Sequence, residues 1–127
     1  MPSYIFDSSA ALAILLAEPG SARAVECASS GCIGAANLAE VVTRLIDIGM
    51  PAEAAQTAVD DLELAVEPVV AEDAGRAGVM RPATRSRGLS LGDRLCLAQA
   101  MRLEATAVTA DRAWADLDLG VDIELIR

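Results

Sequence analysis

Apolar residues come in short blocks punctuated by proline, glycine and aspartate, and short blocks alternate with longer ones. Ser3-Tyr4-Ile5-Phe6, aromatic and β-branched and ending at Asp7, predicts a strand. Ser8 to Ala17 predicts a helix stopped by Pro19-Gly20, and Ser21 caps a second helix reaching about Ser30. A short strand around Cys32-Ile33 leads into a helix from about Ala36 to Ile48, closed by Gly49 and Pro51. Ala52 to Leu64 predicts another helix, and Val66 to Val70 a strand that Pro68 confines to a sheet edge. Helix resumes at Glu72 and breaks near Pro82 or Gly88.

Leu89 to Leu103 is helical and apolar on nearly all sides apart from Asp93, Arg94, Gln99 and Arg102, which predicts a central, buried helix. Ala105 to Thr109 follows as a strand, Asp111 to Leu117 as a short helix, and Val121 to Ile126 as a last strand. Alternating strands and helices imply an α/β fold with a small, mainly parallel sheet covered on both faces. With 127 residues there is room for one such domain, residues 1–127. Sites in such sheets form outside the carboxyl ends of strands, where the strand order reverses.

Composition narrows the chemistry that such a site can run. The chain has no histidine and no lysine, so Ser-His-Asp and Cys-His catalysis, Schiff bases and a P-loop lysine are excluded. Carboxylates, hydroxyls, three thiols and arginine remain. Cys27, Cys32 and Cys96 are an odd number, too few for a zinc site without help, and read as small core residues in a reducing compartment. The apolar run Ala10–Ala17 is too short to span a bilayer and follows an acid instead of a basic segment, so a soluble, cytoplasmic protein is expected.

Nineteen acids against ten arginines leave a net charge of −9, which at first argues against a nucleic-acid partner. The charge is uneven, however. Residues 1–75 carry −10, residues 76–112 carry +4, and the rest carry −3. A basic segment in an acidic chain can hold a phosphate backbone, or can be a salt-bridged surface.

Four acids fall where a ligand site belongs. Asp7 and Asp111 end strands, Asp93 opens the buried helix, and Glu40 sits on an otherwise apolar helix. Each has a plainer reading. Asp7 and Asp111 can be N-caps, Ser90-x-x-Asp93 a capping box, and Glu40 an i,i+4 partner of Arg44. Together, two strand ends and two helices deliver four carboxylates to one crevice, where they repel one another unless cations neutralise them. Oxygen-only ligation points to a hard divalent ion. Ser8, Asn37 and Thr109 stand ready to orient the acids. Asp116 can edge the crevice or be solvated, and Asp60, Asp61, Glu63, Asp118, Asp122 and Glu124 read as surface.

Ile5-Phe6-Asp7-Ser8-Ser9-Ala10, Asn37-Leu38-Ala39-Glu40-Val41, Gly88 to Ala98 around Asp93, and Thr109 to Trp114 resemble, in order and spacing, the PIN-domain ribonucleases, most nearly the VapC toxins of bacterial toxin–antitoxin pairs. The resemblance runs almost end to end. It implies an α/β/α sandwich, and it places Asp7, Glu40, Asp93 and Asp111 in the family's acidic quartet. Of these, Asp7 and Asp93 are the foremost Mg²⁺ or Mn²⁺ ligands. It further implies a homodimer, a VapB-type antitoxin whose C-terminal segment lies across the site, and cleavage of structured RNA of the tRNA or rRNA class.

A carboxylate-held metal that activates water replaces the missing histidine base, which predicts phosphodiester hydrolysis leaving a 5′-phosphate. Arg87, Arg94 and Arg112 are the candidate phosphate contacts, with surface salt bridges as the alternative. Two other classes stay open. One is an acid-pocket phosphohydrolase of the haloacid-dehalogenase type, which wants an aspartate where Ser9 stands and normally a lysine. The other is a non-catalytic acidic module that acts through protein partners.

Overall fold

The computed structural model describes residues 1–127. Five strands form one sheet: Tyr4–Phe6 (β1), Gly31–Gly34 (β2), Ala65–Glu67 (β3), Thr106–Thr109 (β4) and Ile123–Leu125 (β5). They lie in the order β3-β2-β1-β4-β5, and every neighbouring pair is parallel. The chain therefore steps outward from β1 to β3, then returns to lay β4 against the other side of β1. That reversal opens a crevice at the carboxyl ends of β1 and β4.

Seven α-helices cover the sheet: Ser8–Leu15 (α1), Ser21–Ala28 (α2), Ala35–Asp47 (α3), Ala52–Asp60 (α4), Ala71–Val79 (α5), Arg81–Thr84 (α6) and Leu91–Leu103 (α7). Strand alternation divides the core in two. Phe6, Ile33 and Val108 face α1 to α4, whereas Ile5, Cys32 and Ala107 face α5 and α7. Phe6 and Ile5 are fully buried, worth about 1.5–3 kcal/mol each. Ala10, Ala11 and Ala13 are buried too, and their small side chains let α1 lie close against its neighbours. This is the α/β/α sandwich expected from the strand–helix alternation, with a wholly parallel sheet.

Several boundaries differ from the sequence expectation for identifiable reasons. The strand expected over Val66–Val70 ends at Glu67, because Pro68 has no N–H for the ladder. The carbonyls of Glu67 and Pro68 instead accept from Gln99 Nε2, and that of Pro68 also from Arg102. Pro68 still follows an edge strand, as its ring requires. The helix expected from Glu72 does break near Pro82: α5 ends at Val79, and Pro82 then sits in the first turn of α6. The short helix expected over Asp111–Leu117 is a single 3₁₀ turn, Arg112–Trp114, after which Ala115 is extended and Asp116 takes a φ of +63°. Trp114, which closes that turn, is fully buried.

Behind the sheet lies an ion pair between helices. Asp73 on α5 is fully buried, and Arg102 grips it with Nε to Oδ1 at 2.9 Å and Nη2 to Oδ2 at 3.1 Å. Burial raises the carboxyl's proton affinity, but the Arg102 bonds and the Val70 N–H outweigh it and hold Asp73 below its ordinary range. The three cysteines are unpaired and buried. Burial pushes the Cys32 thiol up to about 11 and Cys96 well above its ordinary value, so both are poor nucleophiles. No helix is long and apolar enough to cross a membrane.

Candidate functional site

Asp7 leaves β1 in extended conformation and caps α1, accepting the Ala10 N–H on Oδ1 at 2.8 Å. It is only 2% exposed. Ser9 donates its hydroxyl to both carboxylate oxygens, at 2.7 and 2.8 Å, and Thr109 at the end of β4 donates to Oδ2 at 2.5 Å. Thr109 Oγ1 in turn accepts the Asp111 N–H, and Ser9 Oγ accepts the Ala110 N–H. Two hydroxyls thus stitch the end of β1 to the end of β4 and fix the plane of the Asp7 carboxylate. The sequence points to Ser8 as an orienting hydroxyl, and that side chain acts on Glu40, whereas at Asp7 the hydroxyl is that of Ser9. A hydroxyl two residues after a capping aspartate is a local pattern that can find such a residue.

Glu40 lies one turn beyond Asn37 on α3. Asn37, fully buried, donates Nδ2 to Glu40 Oε1 at 3.0 Å and to the Gly92 carbonyl at 3.3 Å, which ties α3 to the start of α7. The Glu40 carboxylate rests on the Cα of Gly92, where an added Cβ would sit 2.5 Å from Oε2. A side chain there would push the acid aside. The i,i+4 pair with Arg44 does not form: Arg44 is exposed and makes no ion pair, because Glu40 turns to Asn37.

Asp93 completes a reciprocal capping box. It accepts the Ser90 N–H at 2.9 Å, while its own N–H donates to Ser90 Oγ at 3.1 Å. Asp111, exposed, caps the 3₁₀ turn through the Ala113 N–H at 2.9 Å. Asp116 is exposed as well.

Electrostatic coupling puts the four acids in one neighbourhood. Asp93 is the common member, raising the proton affinity of Asp7 and Glu40 and having its own raised by Asp111. Desolvation is the largest cause at all three and lifts Asp7 to about 6, against opposing bonds from Thr109, Ala10 and Ser9. At Glu40 the Asn37 and Ser8 side chains oppose the rise. None of the four acids is in an ion pair, so no arginine neutralises them. They are not a closed cage, since no three metal-ligating side chains are gathered tightly enough to grip one ion as they stand. Asp7, Asp93 and Asp111 are each turned toward a cap. The donor set itself, all carboxylate and uncompensated, suits a hard divalent cation.

The three sequence-nominated arginines part ways. Arg112 is exposed beside Asp111. Arg87 donates to the Ala115 carbonyl. Arg94 is half-buried, with Nη1 on the Ala77 carbonyl at 2.9 Å, so its guanidinium is committed to bracing α7 on α5.

The raised Asp7 carboxyl makes stability pH-dependent with a definite sign. Its folded pKa of about 6 exceeds the ordinary 3.8, so the folded state holds this proton more tightly than the unfolded chain. The contribution is complete below about pH 4 and is lost as pH rises through about 6, roughly 3 kcal/mol in all. Metal-free protein is expected to melt at a higher temperature at pH 5 than at pH 7.5 on this account. Asp7→Asn flattens that difference in thermal melts across the range, and an unchanged profile contradicts it.

A family model described as PIN domain matches residues 4–119. A search among curated proteins finds no match. Among solved structures the chain is similar to one in the DNA-bound VapBC crystal structure from Salmonella typhimurium, with TM-score 0.79, 18% identity and 100% of both chains covered. It is also similar to one in VapBC2 from Rickettsia felis bound to a promoter DNA fragment, with TM-score 0.76 and 18% identity over 96% of this chain and 97% of that one. A third, from VapBC-5 of Mycobacterium tuberculosis, gives TM-score 0.65 and 18% identity over 99% of each.

Proposed function

The chain belongs to the PIN domain family, and from that premise we propose that it is the toxin of a type II toxin–antitoxin pair, a divalent-metal-dependent endoribonuclease. One observation carries the reading. Four acids are coupled electrostatically through Asp93, and two of them stand at the carboxyl ends of the strands where the order reverses. One is almost fully buried and none is in an ion pair, which supports a common cation site. Structural acids so placed are normally paired, as Asp73 is with Arg102.

Asp7 and Asp93 are the principal ligands in this proposal, with Glu40 and Asp111 completing the acid set for Mg²⁺ or Mn²⁺. A cation bound there supplies an electrophile for a phosphate oxygen and lowers the pKa of water. The chain's own residues do the positioning. Ser9 and Thr109 hold the Asp7 carboxylate against rotation, and Asn37 and Gly92 set the depth of Glu40. The Ser90 capping box fixes where Asp93 stands at the mouth of α7. Arg112, exposed next to Asp111, is placed to meet a phosphate.

The same proposal takes residues 1–127 as one domain, working as a cytoplasmic homodimer against structured RNA and restrained by a VapB-type antitoxin. The similar structures support the partner, since the three named above are of VapBC systems. Purified protein is expected to cut tRNA or rRNA with millimolar Mg²⁺ or Mn²⁺ and to stop when EDTA is added. A protein that binds the cation and gains only melting temperature, with no cleavage of any cellular RNA, is instead a binding module.

A further inference from the structure

Between Ala74 and Gly92 the chain carries Arg76, Arg81, Arg85 and Arg87 and no acid, although acids outnumber arginines overall. Arg76 pairs with Glu72 on its own helix. Arg81 and Arg85 are exposed and take part in no ion pair or side-chain hydrogen bond. Their i,i+4 spacing stacks two like charges on one face, which destabilises the segment locally unless an anion offsets it.

The backbone holds these arginines at the end of the molecule where the acids lie. Helices α5 and α7 run antiparallel. Arg102 near the end of α7 grips Asp73 at the start of α5, while Arg94 near the start of α7 reaches Ala77 near the end of α5. The link between them, α6 and the 3₁₀ turn Arg85–Arg87, therefore sits beside Ser90 and Asp93. Arg87 ties it to Ala115, just beyond Asp111. Thr84 and Leu89 are buried and pin the link down, so Arg81 and Arg85 project from a fixed backbone.

We propose that Arg81 and Arg85 form a second contact for the RNA backbone, holding the strand as it leaves the acid crevice. This rests on the nuclease reading above. The exposed side chains that separate Arg81, Arg85 and Arg87, namely Pro82, Ala83 and Ser86, are small, and the nearest exposed large apolar residues, Val79 and Leu91, stand singly at the end of α5 and the start of α7. A polyanion needs no apolar anchor.

The test measures binding of fluorescein-labelled single-stranded RNA by anisotropy across a salt series, for wild type, Arg81→Ala/Arg85→Ala and Arg81→Lys/Arg85→Lys. Cleavage is followed in parallel. Loss of two phosphate contacts is expected to weaken binding about tenfold at low salt and to flatten the log–log salt slope by about 1.4. The lysine variant keeps the slope, because the charge remains. Wild-type affinity and slope in the alanine variant, with RNA cut by wild type, overturns the arginine contact and leaves the nuclease reading intact. A wild type that neither binds nor cuts RNA overturns both. An alanine variant that binds RNA normally but loses polyglutamate assigns the patch to an acidic protein segment, which also overturns the proposal.

Discussion

Asp93→Asn is expected to lower RNA cleavage by at least about a thousandfold, roughly 4 kcal/mol in barrier, without unfolding the protein. Asparagine keeps an oxygen for the Ser90 N–H, so the capping box that starts α7 survives in part. What disappears is the charge to which Asp7, Glu40 and Asp111 are all coupled. Removing one of several uncompensated carboxylates relieves repulsion, so the metal-free variant should be at least as stable as wild type. Lost activity with retained or improved stability distinguishes a functional acid from a structural one. Initial cleavage rates on labelled RNA, with circular dichroism melts of the same samples, check both halves. Full activity removes Asp93 from the site.

Arg102→Ala should have the largest effect on folding, costing about 3–5 kcal/mol of the roughly 5–15 kcal/mol a domain normally has. The guanidinium is the only cation bonded to Asp73, which is fully buried, and it also bonds the Pro68 carbonyl at the sheet edge. Urea denaturation at pH 7 reads the loss, and Asp73→Asn in the same chain should restore much of it by removing the stranded charge. The contribution of Asp73 to the pH response has opposite signs in the two proteins. In wild type the lowered Asp73 carboxyl adds stability above its ordinary range, lost as pH falls through its folded value. In Arg102→Ala the unpaired buried carboxyl prefers its proton, so acidification helps. A variant as stable as wild type at pH 7 contradicts the role given to this pair.

What the sequence disclosed and what it hid divide along local and non-local lines. The plainer readings of Asp7, Asp93 and Asp111 as caps are correct, and yet these acids are coupled electrostatically through Asp93. For Asp7 and Asp111, capping a helix or turn that starts at a strand's carboxyl end is itself what holds the carboxylate there, so for these two the readings are not alternatives. Strand ends and helix starts rest on neighbours in sequence, and they were legible. Pro68 ended its strand for a local reason as well.

Contacts across the fold were not legible. That Glu40 prefers Asn37 to Arg44 depends on Gly92, dozens of residues away, leaving room for the carboxylate. Arg94 looked free because Ala77 comes to it only once α5 and α7 pack. Asp73 drew no notice, since nothing near it in sequence announces Arg102. The basic segment was visible as a charge imbalance, but which arginines remain unpaired is a property of the folded surface.

The most direct test of the central claim is the chemistry of the cut ends. RNA cleaved by the purified protein with Mg²⁺ should be mapped for 5′-phosphate and 3′-hydroxyl termini, with an EDTA control. A chain without histidine or lysine, working through carboxylates and a divalent cation, is expected to leave a 5′-phosphate and to cut nothing in EDTA. Ends carrying a 2′,3′-cyclic phosphate, or undiminished cleavage in EDTA, contradict it.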